Sequence, residues 1–432
     1  MRAAMLSPLV KRSPLLPIFL IVLIDVLGFT IVIPLLALYA ERFGASPLTA
    51  TLIVSCYAVC SLVSTPIIGK LSDTYGRKPL LMISQAGTCL GFIILGTSEA
   101  LWMVFLGRIL DGITAGNLSI AQAYISDHTT PENRAKSFGI IGIAFGLGFM
   151  VGPALGGWLG AYGMHLPFIV AACLSGCSIL ATYFLLPKEP PPEKAEVKID
   201  SGPVGPGGKR PGAFDVAVYQ DYLKRPGLRG LYLQFFLYTF AFSIFISGFA
   251  LFAERRFLFG NPPHPWTAKE VGYLFAFAGL AGIVWQGGLI GRLVKKYGEY
   301  TLCISGFIAL ITAYVLIVFV PSEQWSWMLG VTVMNSFGNG VLRPVITSRI
   351  TQAVGRHEQG VAIGISGSLS SLAMMMAPPT GGFLLEHGWL DAWPLVAAGV
   401  AALGFVVCLA VGRVASVAAA STLPKAELHS EA

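Results

Sequence analysis

Twelve apolar runs, each long enough to cross a bilayer as a helix, fill most of this chain. They fall at about 15–39, 49–71, 79–98, 100–125, 135–161, 165–186, 229–254, 268–294, 300–320, 325–348, 360–385 and 390–414. A hydrocarbon core about 30 Å thick is crossed by roughly 20 helical residues. The fold class expected is therefore an all-α membrane protein of twelve transmembrane helices. The first run is too long for a secretory signal and lacks a small-residue cleavage site, so it reads as a span. Composition agrees: 55% of the 432 residues are hydrophobic and 12% charged, about half the charge of a soluble protein. The net charge of +7 invites a nucleic-acid partner. None is expected, because the Lys and Arg residues gather in loops between runs and not on one amphipathic face.

The runs divide six and six around a stretch rich in Pro, Gly and Lys that lacks helical periodicity and reads as a flexible linker. The expected organisation is a short basic N-terminus at 1–14, a six-helix bundle at 15–186, the linker at 187–228, a second six-helix bundle at 229–414 and a disordered tail at 415–432. One set of loops holds Lys70, Arg77, Lys78, Arg134, Lys136, Arg292, Lys295, Lys296, Arg349 and Arg356. The other holds only Arg42, Arg255, Arg256 and Lys269, so the positive-inside bias puts both termini and the linker in the cytoplasm.

The halves look like copies of one another. Gly69-Lys70-Leu71-Ser72-Asp73-Thr74-Tyr75-Gly76-Arg77-Lys78-Pro79 joins the second and third runs as a tight charged hairpin. Gly291-Arg292-Leu293-Val294-Lys295-Lys296-Tyr297-Gly298-Glu299 repeats it, with the same spacing of glycines and a Tyr before the second. Gly69 is expected to let another helix approach, and Gly76 to take a positive φ. Arg77 and Lys78 are expected to face the helix end and the lipid head groups. Ala115-Gly116-Asn117 and Phe337-Gly338-Asn339 echo at the same offset, and Gly152–Gly157 resembles Ala377–Gly382. Internal repeats of this kind build many transporters, with a site between the halves near the midplane.

Ionisable groups inside spans are costly and therefore point to function. Asp25 lies in the first run, where it either takes up and releases a proton or serves in a structural ion pair or as a helix-end cap. Arg108 and Asp111, three apart, share a face of the fourth run that continues through Ala115, Ser119 and Gln122. They either tune a neighbouring carboxylate or neutralise each other. Asn335, Asn339 and Arg343 form a second polar stripe on the tenth run, as pocket lining or as helix–helix hydrogen bonds, with Gln234 and Gln286 as further pocket candidates. The fifth run carries Gly148, Gly152, Gly156 and Gly160, with Pro153 between and Gly157 beside them, a stripe for close packing or for a hinge. Aromatic residues crowd the seventh run and are expected mostly to face lipid. The seven cysteines lie in apolar runs without a His or carboxylate beside them, so they read as packing residues and no metal site is expected. No HExxH, GxSxG or Walker A pattern occurs, which argues against an enzyme and against an ATP-driven pump.

On these residues the sequence resembles the major facilitator superfamily over nearly all of 15–415. The hairpin Gly69–Pro79 is similar to that family's loop 2–3 signature, Gly107–Gly112 to its proton-coupling motif, and Gly148–Gly157 to its antiporter motif. Asp25 followed by Gly28 and Pro34, with Ala123-Tyr124-Ile125-Ser126-Asp127, resembles the tetracycline–proton antiporter branch of twelve-helix drug exporters. The resemblance implies proton coupling through Asp25, Arg108 and Asp111, and a cytoplasmic gate of Gly69, Asp73, Gly76, Arg77, Lys78 and Arg134. Asp73 would then lie near the start of the eleventh helix. It implies a secondary active exporter of a small amphiphilic drug, conferring antibiotic resistance, in the cell inner membrane. Such a transporter works as a monomer on the proton gradient, without a cofactor. An importer of an endogenous metabolite or organic anion is the alternative; a non-transporting sensor or an intramembrane enzyme is more remote. Two departures stand out. The carboxylates that tetracycline exporters carry in the third and ninth helices are absent, the third offering only Gln85. Arg343 stands where an uncharged polar residue is expected, which brings anionic or zwitterionic cargo into consideration.

Overall fold

The computed structural model describes residues 15–129, 131–187, 216–355 and 358–421. The first half comprises α1 (Leu15–Glu41), α2 (Pro47–Tyr75), α3 (Arg77–Gly96), α4 (Leu101–Ile113), α5 (Asn117–Asp127), α6 (Pro131–Tyr162) and α7 (Leu166–Leu185). A short helix α8 (Val216–Lys224) precedes the second half. That half holds α9 (Leu228–Arg256), a two-stranded hairpin of β1 (Leu258–Phe259) and β2 (His264–Pro265), and α10 (Ala268–Ile283). A π-helical segment (Val284–Leu289), α11 (Ile290–Phe319), α12 (Trp327–Gln352), α13 (Gln359–Glu386) and α14 (Ala392–Ser421) complete it. Nine helices among the described residues are long and apolar enough to cross a membrane, which makes this an integral membrane protein. Helices α6 and α12, of 32 and 26 residues, also exceed the bilayer core at 1.5 Å per residue. The fourth apolar run is divided between α4 and α5.

Local chemistry sets the boundaries. Ser46 caps α2 by accepting from the Thr49 N–H, with Pro47 in the first turn. Thr267 and Glu270 form a reciprocal capping box on α10. The duplicated hairpins turn the same way: Gly76 has φ 94° and ψ 151°, and Gly298, which breaks α11, has φ 76° and ψ 160°. An L side chain adopts this region only with strain.

Three expectations are corrected at this level. The stretch read as a flexible linker contains α8, docked by Arg225. That guanidinium pairs with Asp221 at 3.0 Å and with Glu358 at 2.9 Å, and lies over the ring of the buried Tyr222. Burial pushes the Glu358 carboxyl up, but hydrogen bonds from Arg225 and the Gly355 N–H outweigh it and hold the group below its usual value. The tail read as disordered from 415 continues α14 to Ser421, through an alanine-rich stretch that favours helix. The aromatic residues of α9 do not mostly face lipid. Tyr232, Phe235, Tyr238, Phe245 and Phe249 are buried, because α9 packs against α13, α14 and α12 at the centre of its half. Phe245 stacks on Tyr314 and Trp393.

The halves meet along two helix pairs, α2 with α13 and α6 with α10. The closest contacts are at the ends remote from the basic hairpins. A Cβ on Gly157 would stand 2.3 Å from Gly272 Cα, and one on Gly382 would stand 2.0 Å from Thr51 Oγ1 and 2.9 Å from backbone atoms of Pro47 and Leu48. Glu386 accepts from Ser46 Oγ at 2.8 Å and the Leu48 N–H at 3.1 Å, and Arg255 pairs with Glu41. At the basic end no described glycine of these elements makes such a contact. A Cβ on Gly69 of α2, Gly364 of α13, or Gly288 and Gly291 beyond α10 would meet nothing within 4 Å. Gly69 therefore makes no close helix contact here, contrary to expectation. Among the described residues the close contacts between the halves thus gather at one rim, which points to a molecule sealed there and open at the basic one.

Candidate functional site

The first-half site is built where α1, α3, α4 and α7 converge. Asp25 is half-buried on α1. Gln85 on α3, fully buried, donates through Nε2 to Ser178 Oγ at 2.7 Å and reaches Asp25 Oδ2 at 3.5 Å. Its Oε1 accepts from Thr182 at 2.9 Å, and its backbone oxygen from Ser175 at 3.2 Å. Ser178 in turn lies within hydrogen-bonding reach of the Asp25 carboxyl. Asp25 is thus served by two neutral polar side chains, Gln85 from α3 and Ser178 from α7, which also bond to each other. An ionised carboxylate and a protonated one can both be accommodated there, since the Ser178 hydroxyl both donates and accepts.

Arg108 and Asp111 form a buried pair at 2.7 Å on α4, 2% and 5% exposed. The guanidinium lies 4.3 Å from the centre of the Tyr57 ring on α2, and Asp111 also meets Thr88 on α3. Glycines bring the helices this close. A Cβ on Gly91 would stand 2.8 Å from Gly107 O, and one on Gly112 would stand 2.6 Å from Cys60 Cβ. The polar stripe read as continuous from Arg108 to Gln122 is interrupted, because the helix opens at Thr114–Gly116. The freed backbone groups are taken up by hydroxyls of the neighbouring helices. Ser64 donates to Gly112 O at 2.6 Å, Thr65 to Ala115 O at 2.9 Å and Ser84 to Thr114 O at 2.5 Å, while Ser84 accepts from the Gly116 N–H at 2.9 Å. Non-helical backbone at membrane depth requires such partners. Gln122 is half-buried on α5.

The glycine stripe of α6 seats the helix against α1, next to Asp25. A Cβ on Gly148 would lie 2.4 Å from Val26 Cγ1, one on Gly152 2.0 Å from Thr30 Oγ1, and one on Gly156 2.4 Å from Ile31 O. Thr30 donates across this contact to Gly148 O at 2.9 Å. Gly157 and Gly160 face α10 instead, and Pro153 is buried between the two contacts.

At the hairpin, Arg77 pairs with Asp73 at 2.5 Å and donates to Asp127, at the end of α5, at 2.9 Å and to Ser72 Oγ at 2.7 Å. Asp73 is well exposed and pairs within its own loop. Lys78 does not reach for lipid head groups. It is buried and donates to Tyr183 O and Leu186 O, closing the C-terminal carbonyls of α7. Arg134 lies in α6, with its side chain outside the described residues.

In the second half, the π segment sets Trp285 and Gln286 against α12. Trp285 meets Phe337 edge to face at 4.9 Å, and Gln286 Cγ would be 3.3 Å from a Cβ on Gly340. Arg343, one turn further along α12, is exposed and within electrostatic reach of Tyr238 on α9. Asn339 donates to the backbone and side-chain oxygens of Asn335, both at 3.0 Å, so the stripe bonds within its own helix. Gln234 is placed otherwise: it is fully buried and donates to Cys303 Sγ at 3.0 Å. Gln85, Asp127 and the π segment were missed as site elements in the sequence. The pair Gly287-Gly288 inside an apolar run was the one signal for the last.

The family model described as Major Facilitator Superfamily matches residues 18–323 and 266–429. The tetracycline resistance protein of class D from Salmonella ordonez is 29% identical over 94% of this chain and 99% of its own. The class G protein from Vibrio anguillarum is 30% identical over 93% and 98%. Multidrug resistance protein 1 of Bacillus subtilis (strain 168) is 27% identical over 83% and 86%. Among solved structures, the human organic anion transporter MFSD10 (TETRAN) superposes with a TM-score of 0.68 at 23% identity, over 93% of this chain and 100% of that one.

Proposed function

Because the chain belongs to the Major Facilitator Superfamily, we propose that it is a secondary active exporter. In this reading it exchanges protons for a small amphiphilic compound of the drug class, as the names of its tetracycline and multidrug resistance relatives suggest. It does so as a monomer in a cell inner membrane, with both termini in the cytoplasm and no cofactor beyond the proton gradient. The observation that carries this reading is Asp25, half-buried and held by Gln85 and Ser178 at the interface that α6 clamps. A carboxyl inside a membrane protein, served by groups that can donate and accept, is equipped to load and release a proton.

The cycle follows from the two rims. With the basic rim open, cargo enters the cavity between the halves from the cytoplasm. Asp25 releases its proton to that side, and with cargo aboard the halves rock so that the basic rim closes while the opposite one parts. Reprotonation from outside resets the molecule. Arg108 and Asp111 hold α4 against α2 and α3 and supply a fixed field near Asp25. Arg77, with Asp73 and Asp127, ties the loop to α5 and braces the gate.

The test uses purified protein in liposomes with an internal pH-sensitive dye and an imposed cargo gradient. Asp25→Asn is expected to abolish cargo-driven proton movement while leaving expression and downhill binding intact. Undiminished uphill transport by that variant would remove Asp25 from the mechanism.

A further inference from the structure

The two halves differ in the charge they bring to the interior. The first supplies Asp25 and the neutralised Arg108–Asp111 pair, and both carboxylates are engaged by residues of α3, α4 and α7. In the second half the carboxylates between 229 and 414 lie within three residues of a helix end or in a loop, except Glu299, which sits beside the Gly298 break in α11. Arg343 lies well inside α12, roughly 13 Å before its end at 1.5 Å per residue. It is exposed, on the side of the molecule where the rim is open. A guanidinium at that depth is costly and stays charged, so its position calls for a function that uses a fixed positive charge.

The surroundings make it a subsite. Gln286, also exposed, sits on the same face of α12 one turn away, across Gly340, where the absence of a side chain admits it. Tyr238, buried on α9, lies within electrostatic reach of Arg343. Asn339 Oδ1 and the Tyr314 hydroxyl lie in one buried patch a turn below. Trp285 and Phe337 supply an aromatic wall. The π segment produces this arrangement, because an extra residue in the turn swings Trp285 and Gln286 towards α12.

We propose that this subsite selects an organic anion: an amphiphile whose carboxylate, or another planar oxyanion, is held bidentately by Arg343, with its apolar body against Trp285 and Phe337. The inference rests on the exporter reading and names its cargo class. It carries a consequence for energetics. Exchanging one proton inwards for one monoanion outwards moves two positive charges inwards, so an inside-negative potential drives both legs. The same exchange with a monocation would move no net charge.

The experiment reconstitutes the full chain in liposomes with a potassium gradient and valinomycin to set the potential. It offers 1-naphthoate, 1-naphthamide and 1-naphthylmethylamine, which share a ring and differ in charge. Binding to detergent-solubilised protein is measured in parallel by calorimetry. The expected result is naphthoate preferred at least about tenfold over the amine in both assays, as one charge-assisted hydrogen bond predicts, with flux that rises with an inside-negative potential. Arg343→Gln is expected to erase the preference, and Arg343→Lys to restore part of it. Equal or absent responses to all three compounds, preference for the amine, or a preference that survives Arg343→Gln would overturn the proposal. Asp25→Asn separates it from the exporter reading. That variant is expected to bind naphthoate as before while losing proton movement, whereas naphthoate flux that never moves protons in the parent protein would sink proton exchange and leave anion selection standing.

Discussion

Gln85 does for this site what a second carboxylate does in an acid pair, without adding charge. It fixes Ser178 and Thr182 on α7 and reaches Asp25 on α1, so it holds three helices around one proton position. Gln85→Leu leaves two buried hydroxyls short of a partner, and a loss of about 1–3 kcal/mol is expected. It should also move the pH at which transport is half-maximal. A thermal melt in detergent and a flux–pH profile check the two effects, and an unchanged profile would reduce Gln85 to packing. Arg108→Ala addresses the choice left open by the sequence between tuning and static neutralisation. Stranding Asp111 without its partner is expected to cost about 3–5 kcal/mol. Loss of transport at unchanged melting temperature would instead favour tuning alone. Asp25, Arg108 and Asp111 were legible because charge inside an apolar run is conspicuous. Gln85 was not, because an uncharged polar residue is unremarkable there and its partners Ser178 and Thr182 lie more than 90 positions along the chain.

Helices here are shaped by what they lack. The break between α4 and α5 is held open by Ser64, Thr65 and Ser84, three hydroxyls scattered over two other runs, and so no local pattern announced it. The related stretch Phe337-Gly338-Asn339 lies in unbroken α12, and the second half is irregular in its π segment instead. The duplicated hairpins were fully legible, since a glycine with positive φ leaves a compositional mark at Gly76 and Gly298. Glycine position also predicts opposite outcomes at the two rims. Gly69→Leu meets open space in this conformation, so stability should change by no more than about 0.5 kcal/mol while turnover is blocked because the basic rim cannot close. Gly157→Leu drives a side chain into Gly272 and should destabilise the sealed state by about 1–3 kcal/mol. Melting curves and flux for both variants check the pair, and equal stability losses would contradict the assignment of rims.

The whole molecule is two bundles latched at one end. Arg255 with Glu41, and Glu386 with Ser46 and Leu48, cross between halves at the rim where Gly157 meets Gly272. Replacing Ser46 and Glu386 by cysteines in a background lacking the seven native ones should allow an oxidant to lock this rim. Transport is then expected to stop and to return on adding a reductant; flux that continues in the cross-linked protein would mean the rim need not open. The basic loops, legible as a charge bias, gave no hint of which rim is shut, because that depends on which of two packings is lower in energy and the same sequence must support both. The Asp25 network lies wholly within residues 21–182, while Arg343, Gln286 and Tyr238 belong to the other bundle. On the proposed roles, powering and choosing a cargo fall to different bundles: a chimaera that keeps the first bundle and borrows the second from a relative is expected to remain proton-driven and to change its diet.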